Sequence, residues 1–192
     1  MTNDMNPVEE ESNLAGCCGI FCGLCTKYQS KAPSRCIGCR LGEQHLWCSI
    51  YRCCVMKRGF TTCIECDEYP CERYVRRSWG TDQESRVVQE NLKRIKRVGL
   101  QVWLEEQRAR RLLVEELLDN YNEGRSMRFY CLACTLMPPN LVSRAVDEAR
   151  EILINNQVDA SDIKARAKTV KLVIQDSAAQ GSIDLGLRKK SE

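Results

Sequence analysis

Cys17-Cys18-Gly19-Ile20-Phe21-Cys22-Gly23-Leu24-Cys25 opens a run that continues through Cys36-Ile37-Gly38-Cys39, Cys48, Cys53-Cys54 and Cys63-Ile64-Glu65-Cys66. It closes at Pro70-Cys71. Twelve of the 14 cysteines of this 192-residue chain fall within these 55 residues. A thiol adds little core volume, so a cluster of this density calls for cross-links, either disulfides or metal–thiolate bonds. The Cys-x2-Cys spacing favours metal. Two thiolates at the ends of a tight turn both reach one ion at about 2.3 Å. A disulfide between the same two residues would close a small, strained ring.

The rest of the sequence agrees with that choice. The chain begins Met-Thr-Asn-Asp-Met-Asn-Pro-Val-Glu-Glu-Glu, polar and acidic rather than basic and apolar, and no apolar run approaches the length of a membrane span. These features lead us to expect a cytoplasmic protein, where reducing conditions turn clustered cysteines toward metal rather than disulfides. The 29 basic and 26 acidic residues leave a net charge of +3, too even to announce a nucleic-acid or membrane partner.

Outward from the cysteines, the sequence predicts four segments. Residues 1–16 read as a loose acidic tail, 17–75 as the cysteine-rich metal-binding module, 76–180 as a helical domain, and 181–192 as a loose basic tail. Within the module, short helices are expected at about 48–58, ended by Gly59, and over 70–77 with Pro70 at the first helical position. From Glu84, apolar residues recur at helical spacing: Val87, Val88, Leu92, Ile95 and Val98, then Leu100, Trp103, Leu104, Leu113, Val114, Leu117, Leu118 and Tyr121. Gly124 ends that stretch. A short helix over 126–137 stops at Pro138-Pro139, and another carries Val142, Ala145, Val146, Ala149, Ile152 and Leu153 on one face. The last begins near Asp159 to Ser161, with Ile163, Ala167, Val170 and Ile174 on its buried side. The fold class expected is mostly α: a small irregular, metal-stapled module followed by an all-α domain.

Other chemistry finds little support. The chain's one histidine, His45, reads as a loop residue with zinc ligation as the alternative, and neither a Ser-His-Asp set nor a glycine-rich phosphate loop is present. This leaves no positive sign of an enzyme. Cys131 and Cys134 share a helix face among aromatic and aliphatic neighbours and read as core. The bases Arg86, Lys93, Arg94, Lys96, Arg97, Arg108, Arg110 and Arg111 are interleaved with Glu90, Glu105 and Glu106, which suits a solvated helix face better than a nucleic-acid surface. Cys18-x3-Cys22-x2-Cys25 has the spacing with which radical S-adenosylmethionine enzymes hold a 4Fe–4S cluster, but the βα barrel of those enzymes is missing. An iron–sulfur cluster in electron transfer or redox sensing is therefore the alternative to zinc.

The chain resembles a cysteine-rich family of unknown function from bacteria and archaea. The resemblance is carried by Cys18-Gly19-Ile20-Phe21-Cys22-Gly23-Leu24-Cys25-Thr26-Lys27-Tyr28, Cys36-Ile37-Gly38-Cys39-Arg40, Cys48-Ser49-Ile50-Tyr51-Arg52-Cys53 and Cys63 through Glu72. It implies ten metal ligands: Cys18, Cys22, Cys25, Cys36, Cys39, Cys48, Cys53, Cys63, Cys66 and Cys71. Cys17 and Cys54 lie outside its pattern. Together these readings lead us to expect two or three zinc ions in a non-catalytic module that acts through another protein.

Overall fold

The computed structural model describes residues 7–42, 46–77 and 82–186. Among them the chain is helical, with no strand beyond an isolated antiparallel bridge between Ala15 and Phe21. The helices are α1 (Pro7–Leu14), α2 (Thr26–Gln29), α3 (Ser49–Tyr51), α4 (Glu72–Val75), α5 (Asp82–Val98), α6 (Leu100–Tyr121), α7 (Met127–Leu136), α8 (Pro139–Asn155) and α9 (Ile163–Gln180). A π-helical segment, Arg52–Lys57, extends α3, and single 3₁₀ turns occupy Cys22–Leu24 and Cys63–Glu65.

Two compact units divide the chain, residues 1–108 and 109–192. The first takes in more than the cysteine run. Residues 7–14, where the sequence suggested a loose tail, form a helix whose Glu11 and Leu14 are buried. At the other end, α5 and the first residues of α6 bring in the apolar groups that the cysteine segment lacks. Val88, Leu92 and Ile95 of α5 and Trp103 and Leu104 of α6 are buried, as are Leu14, Phe21, Leu24, Ile50 and Tyr74 from the segment itself. Phe21 meets Trp103 edge to face, their ring centroids 5.9 Å apart. The first unit is therefore built on a hydrophobic core, not on thiols alone.

The point of closest approach is Gly19. Its φ of +93° suits glycine, and a Cβ built there would lie 2.3 Å from the Val88 carbonyl oxygen. The bare backbone lets α5 sit directly on the loop between Cys18 and Cys22. Asn91 then donates from Nδ2 to the Gly19 carbonyl at 2.8 Å, and Trp103 Nε1 donates to Asn91 Oδ1 at 3.4 Å.

In the second unit the periodicity read from the sequence places the core. Val142, Ala145, Val146, Ala149 and Leu153 of α8 and Ala167, Val170 and Ile174 of α9 are buried, Ile152 and Ile163 are only half-buried, and these two helices pack on each other. Pro139 stands at the first position of α8, where a missing N–H costs nothing. Asp162 caps α9, its carboxylate accepting from the Ala165 N–H at 3.0 Å. Cys131 and Cys134 are buried on α7 as small core residues. Arg110 donates to the carbonyls of Cys134 and Met137 at 2.6 Å each, satisfying groups that the end of α7 leaves open. Leu185 is buried although the sequence suggested a loose end from 181 onward, and residues 187–192 lie outside the described residues.

The expected helix at 48–58 is present as α3 and its π-helical extension. The one expected from Pro70 is shorter: α4 starts at Glu72 with Cys71 as its N-cap, and Pro70 lies before it after a cis peptide.

Gly19→Ala is expected to destabilise the first unit by about 2–4 kcal/mol, since it combines strain at positive φ with an overlap against fixed helix backbone. Chemical denaturation followed by tryptophan fluorescence measures this. A Gly19→Ala variant of wild-type stability would show that α5 does not rest on the loop. Arg110→Ala is expected to cost the second unit about 1–3 kcal/mol by orphaning the α7 carbonyls, measured by chemical denaturation followed by far-ultraviolet circular dichroism.

Candidate metal centre

The thiols are positioned by tight turns, as the glycine-rich spacing predicts. Gly16 N–H bonds the Ile20 carbonyl at 2.8 Å and Gly19 N–H the Gly16 carbonyl at 2.9 Å, which folds the loop carrying Cys17 and Cys18. Cys25 N–H bonds the Cys22 carbonyl at 2.9 Å, and Cys66 N–H the Cys63 carbonyl at 3.2 Å. In the second of these turns, Thr62 and Glu65 form a reciprocal capping box. In the Cys36–Cys39 turn an amide points at sulfur: Gly38 N–H lies 3.4 Å from Cys36 Sγ.

The folded chain brings some thiols together and leaves others apart. Cys17, Cys54 and Cys63 form the one three-thiol group found among the described residues, their Sγ atoms all within 4.8 Å of one another. Tetrahedral zinc with four thiolates needs sulfur separations of roughly 3.8 Å, given Zn–S bonds of about 2.3 Å. The spread is thus close to what one ion requires. Cys17 and Cys54 are buried and Cys63 is half-buried. Of the ten ligands implied by the ordered pattern, only Cys63 belongs to this group. Cys17 and Cys54 are the residues that sequence spacing left out. Their proximity depends on how separate segments pack, which spacing does not record.

A second pairing joins Cys22 and Cys39, with Sγ atoms 4.0 Å apart. Cys18 is buried nearby, its thiol pushed up to about 11 by burial and further raised by the charges of Cys39 and Cys48. Cys48 caps α3 by accepting from the Tyr51 N–H at 3.5 Å, and Arg77 Nη1 approaches the same sulfur at 3.7 Å. Cys53, Cys54, Cys63, Cys66 and Cys71 line one small cleft of about 30 Å³, with Ile50, Phe60, Tyr69 and Tyr74 as apolar walls. That space suits an ion or a water molecule and little more. Cys25 and Cys36 are half-buried. His45 lies outside the described residues.

The electrostatics of the three-thiol group are those of one shared negative charge. Hydrogen bonds from Cys17 and Cys63 pull the Cys54 thiol down to about 4. The same contact with Cys54, then the one with Cys63 and burial, drive Cys17 far upward. One thiolate held by two thiols is a natural precursor of metal ligation, because a cation displaces the remaining protons. Cations also stand beside the thiols. Arg58 donates to Cys66 Sγ at 3.2 Å and to Glu68 at 2.6 Å. Cys53 and Cys71 border a wider cleft of about 650 Å³ shared with Lys57, Arg58, Arg73, Arg76 and Arg77. Glu68 and Glu72 line the same cleft, where the basic side chains outnumber them.

Residues 14–76 match the family described as "Protein of unknown function (DUF3795)". The segment fits a cysteine-rich domain of unknown function. The match begins at Leu14, the last residue of α1, and ends at Arg76 after α4, so it spans all twelve clustered cysteines and stops short of α5. No curated protein and no solved structure matches the chain. Among the described residues no helix is long and apolar enough to cross a membrane.

The basic helices have internal partners. Lys93 pairs with Glu90 at 2.7 Å, Arg94 with Glu106, and Arg111 with Glu115 at 3.2 Å. With Arg110 committed to carbonyls, half of the basic stretch noted in the sequence is already engaged.

Arg58→Ala removes a donor from Cys66. Outer-sphere partners of metal ligands typically affect affinity by 10–100-fold. We expect roughly tenfold weaker zinc retention against a competing chelator, with the thermal midpoint nearly unchanged because the side chain is solvent-facing. Unaltered retention would show that Cys66 is not near a bound ion.

Proposed function

We propose that this protein is a non-catalytic zinc-binding protein whose thiolate–metal bonds hold the cysteine-rich segment as a platform for another protein. The observation that carries the reading is the convergence of Cys17, Cys54 and Cys63 to within 4.8 Å. These residues come from a loop, a π-helical segment and a 3₁₀ turn, and hydrophobic packing alone gives no reason to gather their sulfurs. Thiolate ligands suit zinc, copper(I) and iron–sulfur centres, and two-residue knuckles are the usual spacing for zinc. Ion-sized free space beside the thiols supports ligation over substrate turnover.

The partner reading draws on exposed apolar side chains on the same segment. Trp47 is 88% exposed, Met56 62% and Val75 67%. Large apolar groups left in water on a small polar segment mark surfaces that other proteins cover.

Metal analysis of protein purified without oxygen tests the proposal. Two or three zinc ions per chain in a colourless sample is the expected result. A brown sample with iron and acid-labile sulfide would replace it with an iron–sulfur protein, and a chain that takes up no metal in any form would end the metal reading.

A further inference from the structure

We propose that Cys17, Cys54, Cys63 and Cys66 close one four-thiolate site. The inference rests on the metal-binding reading above and specifies which thiols share an ion. It also makes ligands of Cys17 and Cys54, the two clustered cysteines that the ordered sequence pattern omits.

Three of the four sulfurs are already assembled, and what assembles them is not sulfur chemistry. Cys63 N–H bonds the Cys17 carbonyl at 2.8 Å, which sets the two residues side by side. Arg40 donates to the Ala15 carbonyl through Nε and to the Thr61 carbonyl through Nη2, each at 2.8 Å. One guanidinium thereby ties the strand of chain leading into Cys17 to the one leading into Cys63. Phe60 N–H bonds the Cys54 carbonyl at 2.9 Å and brings in the third segment. Three backbone positions fixed in this way, with their thiols turned toward one another and away from solvent, form a preorganised donor set.

Zinc completes a tetrahedron, so three thiolates call for a fourth ligand. Cys53, Cys66 and Cys71 line the small cleft together with Cys54 and Cys63. Of these, Cys66 alone stands three residues beyond Cys63 across a tight turn, its N–H on the Cys63 carbonyl at 3.2 Å. Cys53 is adjacent to Cys54, and neighbouring residues splay their side chains apart. Cys71 belongs to the segment that caps α4. Cys66 Sγ faces Arg58 at 3.2 Å, and in the proposed site it would turn to join the other three sulfurs.

Charge and protons balance. Every thiol still protonated gives its proton to solvent as the divalent ion enters, and the four-thiolate complex carries two net negative charges. The cations beside it are Arg40, whose charge acts on Cys54, and Arg58, which keeps its place next to Cys66. With these four thiols committed, Cys22 and Cys39 in their own pairing fall to a separate ion.

Nuclear magnetic resonance of the intact wild-type chain loaded anaerobically with cadmium-113 identifies the ligands without any variant having to fold. The expected result is that one of the cadmium resonances lies in the four-thiolate range with scalar couplings to the β-protons of Cys17, Cys54, Cys63 and Cys66 together. Cadmium bound with no coupling to Cys17 or Cys54 overturns the site. Coupling to Cys53 or Cys71 in place of Cys66 overturns the four-ligand assignment. A spectrum with no protein-bound cadmium fells the metal-binding reading itself, which keeps the two failures distinct.

Discussion

The seat of α5 on the bare backbone of Gly19 is the contact on which the thiol loop depends. A side chain at this position would strike the Val88 carbonyl, so the loop and the helix approach as closely as main chain allows. Three polar links then lock the arrangement. Asn91 holds the Gly19 carbonyl, Trp103 holds Asn91, and from the other side the Tyr74 hydroxyl donates to the Cys18 carbonyl at 2.8 Å. Cys17, Cys18 and Cys22 take their positions from a loop clamped on both faces.

This changes the balance between core and cross-link. From residues 17–75 alone, a fold this poor in apolar side chains needs its metals to exist, as zinc-finger peptides do. The structure supplies Val88, Leu92, Ile95, Trp103 and Leu104 from beyond that range and Leu14 from before it. A buried aromatic or aliphatic side chain contributes about 1.5–3 kcal/mol, so the first unit has an apolar source of stability comparable to that of ordinary small domains. Thiolate bonds then act on a structure that has other support.

How much of this was legible in the sequence follows from the range over which each signal acts. The helices of the second unit repeat apolar residues at 3.6-residue spacing and end at glycine and proline, and all of that is local. The break between α5 and α6 is also local, a glycine at positive φ. The burial of α1 was not legible, because Pro7–Leu14 is short and acidic and its inward residues are matched by groups far along the chain. The three-thiol group was hidden for a related reason. Cys-x2-Cys spacing finds ligands that a turn unites, whereas Cys17 and Cys54 meet Cys63 only through backbone bonds between distant segments.

Arg40 carries a consequence of its own. By bridging the carbonyls of Ala15 and Thr61, it closes a long loop with hydrogen bonds instead of with metal. Closing such a loop is the entropic cost that an incoming ion would otherwise have to meet. Here one side chain has met it already, so the chain segments entering Cys17 and Cys63 are held together before any cross-link joins their sulfurs.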